Sequence, residues 1–200
     1  GLPENDPNKV SSLSYKGGNE LNTAIKPYKV MGEYLRQQPR DIVYSLCQYG
    51  MSDVWKWGDS VSGNCWRTTN DITDTWESVK SIALDQDKSA AWAKPGNWND
   101  PDMLVVGTVG WGNPHKSKLK PDEQYLHISL WSLFSSPLLI GCDMEKLDDF
   151  TYSLLTNDEV IEVNQDPLGK EAVCAQTMGD VRVYVKELED GSKAVGFCNF

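Results

Sequence analysis

Three short clusters hold the residues best suited to chemistry: 47–51 (Cys-Gln-Tyr-Gly-Met), 66–71 (Trp-Arg-Thr-Thr-Asn-Asp) and 98–103 (Trp-Asn-Asp-Pro-Asp-Met). Together they offer carboxylates, one arginine, amides and large aromatics. Such a set suits a neutral sugar, because carboxylate and guanidinium groups grip hydroxyls while flat rings cover the C–H face. Hydrolysis of a glycosidic bond usually needs two carboxyl groups, one on each side of the bond that breaks. Asp71, four positions after Arg67, is the candidate for one of them. Its competing reading is structural, since an aspartate just before a helix caps the free N–H groups of the first turn. Asp100 and Asp102 have a competing reading too, because Asn-Asp-Pro-Asp is ordinary turn chemistry.

The elements that must position these clusters follow from hydrophobic periodicity. Helical spacing predicts a helix over 19–38, with Pro27 in its first turn or at a kink. A short β-rich apolar run over 41–47 predicts a buried strand, and 66–69 a second one. Ile72, Trp76, Val79 and Ile82 predict a helix over 71–84. Pro121, Asp122 and Glu123 mark the start of a helix over 121–135. A further buried strand is expected over 138–144, and one or two helices over 148–163. The first part reads as four βα units with long loops after the strands, half of an eight-stranded barrel or a small doubly wound sheet. The clusters fall near strand ends, and the long aromatic and polar loops favour the barrel, whose enzymes work at the carboxyl ends of their strands. Beyond residue 169 the pattern changes. Residues 181–188 alternate apolar and polar, Asp190-Gly191 is a hairpin turn signal, and 194–200 reads as the returning strand. A domain boundary is therefore placed near 170. Residues 1–18 read as a loop, and Asp6 within it lies too early to end a strand.

Composition narrows the function. The 200 residues are 40% hydrophobic with eight Trp, a globular balance. A net charge of −10 repels phosphate backbones, arguing against nucleic acid and anionic membranes as partners. The longest apolar stretch is too short and too broken to span a bilayer. The first residues have neither the basic nor the apolar region of a signal peptide. Five cysteines without Cys-x-x-Cys spacing and only two histidines argue against zinc. A Cys47–Cys65 disulfide is one available pairing, and Cys142, in an apolar run, reads as a buried inert thiol.

Five runs in order, YSLCQYG at 44–50, WRTTNDI at 66–72, WNDPDML at 98–104, PLLIGCD at 137–143 and VNQDPLG at 163–169, closely resemble glycoside hydrolase family 27, the α-galactosidase and α-N-acetylgalactosaminidase family. The resemblance covers residues from about 20 to 185. It implies the second half (about strands 5–8) of a (β/α)8 TIM barrel over 1–170, and the first strands of an antiparallel β-sandwich domain over 171–200. It implies a retaining, two-aspartate hydrolase of terminal α-D-galactosyl residues with no metal or other cofactor. Asp71 then matches the general acid/base, Arg67 and Asp102 groups that hold galactose hydroxyls, and Met103 an apolar wall of the pocket. Gln48 and Met51 match the loop that reads the sugar's 2-position. The family nucleophile, an aspartate ending strand four, is expected upstream of Gly1. The isolated chain is therefore expected to lack turnover and to need the other half of the barrel, or a second copy of itself, to cover its open edges. α-Galactosidases commonly carry Glu where this chain has Gln48. The N-acetyl enzymes carry small residues at both readout positions, which bulky Met51 departs from. Galactose is thereby favoured over N-acetylgalactosamine, with a β-L-arabinopyranoside as an alternative substrate and a non-catalytic galactose-binding fragment as the alternative class. Relatives of this kind are often secreted, periplasmic or lysosomal.

Overall fold

A computed structural model describes residues 19–110 and 112–200, so the expected loop over 1–18, with Asp6, lies outside the described residues. Helix α1 (Asn19–Arg36) leads into β1 (Ser45–Leu46), which pairs in parallel with β2 (Cys65–Arg67), itself parallel to β3 (Trp98–Asp100). A single parallel bridge between Leu104 and Ile140 continues the same sense of pairing. Between these strands run α2 (Trp76–Asp85), the antiparallel pair β4 (Thr108–Val109) and β5 (His115–Lys116), and α3 (Pro121–Leu133). Helices α4 (Asp149–Leu155) and α5 (Asp158–Asn164) follow. The chain ends in an antiparallel sheet of β6 (Val173–Met178), β7 (Val181–Glu187) and β8 (Lys193–Asn199), in that order. No helix among the described residues is long and apolar enough to cross a membrane.

The elements start where side chains satisfy the backbone. Thr75 Oγ1 accepts the Ser78 N–H, Asp148 Oδ1 the Thr151 N–H, and Asn157 Oδ1 the Val160 N–H, capping α2, α4 and α5. At α3, Pro121 fills the first turn and Glu123 Oε2 takes the Lys120 N–H at 2.8 Å. Burial then orders the layers. One core joins Val79 and Ile82 of α2, Leu104 to Val106, Leu130, Trp131 and Phe134 of the α3 region, and Tyr184 and Cys198 of the terminal sheet. A smaller core gathers Leu46, Val54, Trp55, Trp57, Val61 and Trp66 beneath α1.

Several expectations need correction. The strand expected over 41–47 is reduced to Ser45–Leu46, which among the described residues is hydrogen-bonded to β2 alone, and Val43 is 79% exposed. The strand expected over 138–144 is only the bridge at Ile140, followed by a 3-10 turn at Met144–Lys146. All five cysteines are free thiols. The β1–β2 register sets Cys65 opposite Ser45, so Cys47 lies two residues further along the strand and the Cys47–Cys65 disulfide does not form. Cys142 is half-buried rather than buried.

Candidate active site

Arg67 ends β2, and its register partner in β3 is Asp100. The parallel ladder thereby brings the carboxyl ends of two strands together, with Asp102 two residues beyond one of them. Arg67 Nη2 donates to Asp102 Oδ2 at 2.8 Å and to Asp71 Oδ1 at 3.1 Å. The two partners differ in surroundings. The Asp102 side chain is 6% exposed and that of Asp71 74% exposed. Asp71 is therefore not the helix cap that its position suggested: Thr75 caps α2, and the Asp71 carboxylate turns to the arginine.

Asp102 adopts φ +87°, a left-handed conformation that costs a non-glycine residue about 1–3 kcal/mol unless its surroundings over-determine it. They do. Its N–H donates to Asp100 Oδ1 at 2.8 Å, Trp131 Nε1 donates to its carbonyl at 2.7 Å, Met103 N–H donates to Oδ1 and Ile72 N–H to Oδ2, both at 2.8 Å. Burial pushes the Asp100 carboxyl above the usual carboxylate range, against the Asp102 N–H and the nearby guanidinium. The Arg67 Nε hydrogen finds no partner among the described residues although it is buried, which leaves a donor available to a ligand oxygen.

Arg67, Asp71, Asp102 and Met103 line one cavity of about 430 Å³, together with Ile72, Asp74, Val109 and His115 among others. The structure thus brings together four of the six residues singled out in the sequence. Gln48 and Met51 are not part of that lining. They lie in the neighbouring turn, where Gly50 N–H donates to the Arg67 carbonyl at 2.9 Å and Tyr28 Oη donates to Gln48 Oε1 at 2.8 Å. That same turn places the Tyr49 ring against the guanidinium, 5.5 Å from its centroid. Asp74, His115 and the Tyr49 contact escaped the sequence reading. Tyr49 stood inside the first cluster, whereas nothing local marks Asp74 and His115, which meet across 41 residues. Among the described residues no group of three or more His, Cys, Asp or Glu is arranged to hold a metal.

Parallel strands interleaved with helices, carrying a carboxylate–guanidinium cluster at their carboxyl ends, define a barrel-type α/β fold with a polar ligand pocket. The sequence profile described as Alpha galactosidase A matches residues 8–166. The chain belongs to this α-galactosidase family. It is 42% identical over 187 residues to an α-galactosidase of Cyamopsis tetragonoloba, covering 93% of this chain and 43% of that one. The crystal structure of α-galactosidase I from Mortierella vinacea superposes with a TM-score of 0.82 at 27% identity, covering 90% of this chain and 48% of that one. A family 27 β-L-arabinopyranosidase from Geobacillus stearothermophilus superposes with a TM-score of 0.81 at 29% identity, covering 88% and 42%. The fold is that of the TIM-barrel α-galactosidases, with a strand-rich C-terminal region. The chain spans about 43% of the length of the Cyamopsis relative it matches.

Proposed function

We propose that this chain forms part of a retaining glycoside hydrolase acting on terminal α-D-galactosyl residues by double displacement, with Asp71 as general acid/base. In this reading residues 1–170 are the second half of the catalytic barrel, about strands 5–8, and 171–200 begin an antiparallel β-sandwich domain. The observation that carries it is the single cavity shared by Asp71, Arg67, Asp102 and Met103. An exposed carboxylate that lines a pocket and pairs with a buried guanidinium suits proton exchange with a leaving oxygen, which supports this reading. A second carboxylate, supplied by the part of the relatives' length that this chain does not span, attacks the anomeric carbon from the opposite face. The C–O bond to the leaving group breaks as Asp71 gives its proton to that oxygen. Asp71 then takes a proton from water, and the resulting oxygen attacks the glycosyl ester, releasing galactose and the nucleophile. Retention requires the two carboxyls to stand ~5–5.5 Å apart.

Arg67, through its unpartnered Nε, and Asp102 hold sugar hydroxyls, Met103 forms an apolar wall, and Gln48 and Met51 read the 2-position from the adjacent turn. No cofactor takes part. The partner molecules are a galactoside oligosaccharide or glycoconjugate and the remainder of the barrel, and without the second carboxylate the isolated chain is inactive. In the full-length protein, Asp71→Ala should abolish turnover of poorly activated galactosides, which need an acid for departure. Unchanged hydrolysis of a galactosyl disaccharide would remove Asp71 from the mechanism. The likeness to the arabinopyranosidase favours β-L-arabinopyranosides as a second substrate class. Galactose and β-L-arabinopyranose share ring stereochemistry and differ by the exocyclic hydroxymethyl group, so rates on the two matched aryl glycosides separate these readings.

A further inference from the structure

His115 and Asp74 line the cavity that Asp71 opens into, yet neither has a part in the reaction described above. His115 Nε2 lies 3.0 Å from Asp74 Oδ2, and His115 Nδ1 lies 3.1 Å from the Asn113 carbonyl oxygen. A carbonyl and a carboxylate oxygen only accept, so the imidazole must donate at both nitrogens. A neutral ring has a single N–H, and the arrangement therefore calls for the imidazolium form. Asp74 Oδ2 also takes the Lys118 N–H at 3.0 Å, and Lys118 Nζ stands 3.5 Å from Oδ1. Gly110 makes room for this ring. It has φ +108°, and a Cβ there would fall 2.9 Å from His115 Nδ1 and 2.6 Å from the Asn113 carbonyl oxygen.

Asp74 belongs to the non-helical stretch between Asp71 and the α2 cap. That stretch is tied at two points, Ile72 N–H to Asp102 Oδ2 and Asp74 to the β4–β5 hairpin. We propose that His115 is a positioning residue whose imidazolium, acting through Asp74, clamps the Asp71-bearing segment for proton transfer to the leaving oxygen. The proposal rests on the reading of Asp71 as acid/base.

The clamp has a pH sense. Hydrogen bonds to the Asn113 carbonyl and to Asp74 raise the His115 pKa above its ordinary value, with burial and Lys118 opposing. A raised histidine pKa means that the clamp is complete on the acid side and is released as pH climbs through the raised value. Burial pushes the Asp74 carboxyl up, but the Lys118 N–H and His115 outweigh it and the net shift is downward. The acid edge of the clamp therefore lies below the usual aspartate range, and His115 sets its alkaline edge.

The test uses the full-length protein and two substrates, a galactosyl disaccharide and an aryl galactoside whose phenol leaves without an acid. His115→Gln keeps one donor for Asp74 and loses the charge. It should lower kcat on the disaccharide by ~10-fold or more with little change in KM, since general acid catalysis contributes ~10²–10⁴-fold when well placed. On the aryl galactoside kcat/KM, which reads the bond-breaking step alone, should stay within about 2-fold, because the phenol's departure draws little on the acid. The alkaline limb of the wild-type pH profile should flatten in the variant. Gly110→Ala, which displaces the ring, should give the same pattern. In the unaltered protein, imidazole ¹⁵N shifts should report both His115 nitrogens protonated at ~pH 6, with deprotonation above the ordinary histidine value. Equal losses of kcat/KM on both substrates, an unmoved alkaline limb, or a neutral His115 ring at ~pH 6 would overturn the clamp. Asp71→Asn separates the two levels. Retained disaccharide turnover in that variant removes the acid assignment and the clamp with it, whereas its loss beside a wild-type-like His115→Gln removes the clamp alone.

Discussion

Arg67 shows how burial, more than contact distance, ranks two otherwise similar ion pairs. Its bonds to Asp71 and Asp102 differ by only 0.3 Å (3.1 against 2.8 Å), but one partner stands in water and the other in the protein interior. Solvent screens the first, and such exposed pairs contribute ~0–1 kcal/mol. Removing the second leaves a guanidinium whose side chain is 11% exposed without its buried counter-charge, a loss of about 3–5 kcal/mol. Asp102→Ala should therefore lower the urea midpoint of the full-length protein sharply, while Asp71→Ala leaves it nearly unmoved. Comparable shifts in the two variants would refute this ranking. The Arg67–Asp71 half of the cluster was legible in the sequence, because four residues of chain hold the two together. Asp102 comes from 35 positions beyond Arg67 (102 less 67) and was joined to it by family resemblance, since no local rule states which strands lie side by side.

At the scale of elements, α2 shows where periodicity misleads. Ile72, Trp76, Val79 and Ile82 continue one apolar stripe, and the helix was expected from 71; it starts at Trp76. The Ile72 N–H is taken by Asp102 and the Asp74 carboxylate by the hairpin, so residues 71–74 are committed to tertiary partners before a helical turn can claim them. Thr75 carries the capping in Asp71's place, and Thr75→Ala should cost about 1 kcal/mol, read as a lowered melting temperature. An unchanged melting temperature would mean that the start of α2 is held by its tertiary ties alone. The β7–β8 hairpin, by contrast, was legible almost to the residue. Its alternation is local, and Gly191 at φ +84°, with Ser192 N–H bonded to Asp190 Oδ1, performs the turn that Asp-Gly announces.

At the scale of the whole molecule, the terminal sheet and the helical layer share one core. The Phe134 and Tyr184 rings meet edge to face at 5.5 Å, and Ala172 N–H donates to the Leu133 carbonyl at 2.9 Å. Glu171 sits buried at that seam. Its Oε2 accepts from Asn99 Nδ2 at 2.9 Å, its Oε1 has no partner among the described residues, and burial pushes its pKa up to about 8. Lys186, also buried, donates to Ser135 Oγ and to the Lys170 carbonyl, and desolvation lowers its pKa. An acid whose pKa is raised on folding stabilises the fold fully below its unfolded value near 4.5 and loses that contribution as pH rises to about 8. Glu171→Gln should thus remove the decline in melting temperature over this window and make the protein more stable than the parent at its alkaline end. A parallel decline in both proteins would show that Glu171 does not govern it.

Read alone, the sequence determined what short-range rules can encode: the helices by their stripes, the terminal hairpin by its alternation and turn, and three polar clusters at strand ends by composition and order. The tertiary structure decided which of those clusters share a cavity, that Asp71 faces an arginine instead of capping a helix, that Cys47 and Cys65 stay apart, and that His115 lines the same cavity as Asp71. The reason is physical. Local propensity acts over a few bonds of chain, whereas desolvation, counter-charge and strand register depend on residues that meet only when distant segments pack, and those forces outweigh the ~1 kcal/mol preferences that a sequence pattern reports.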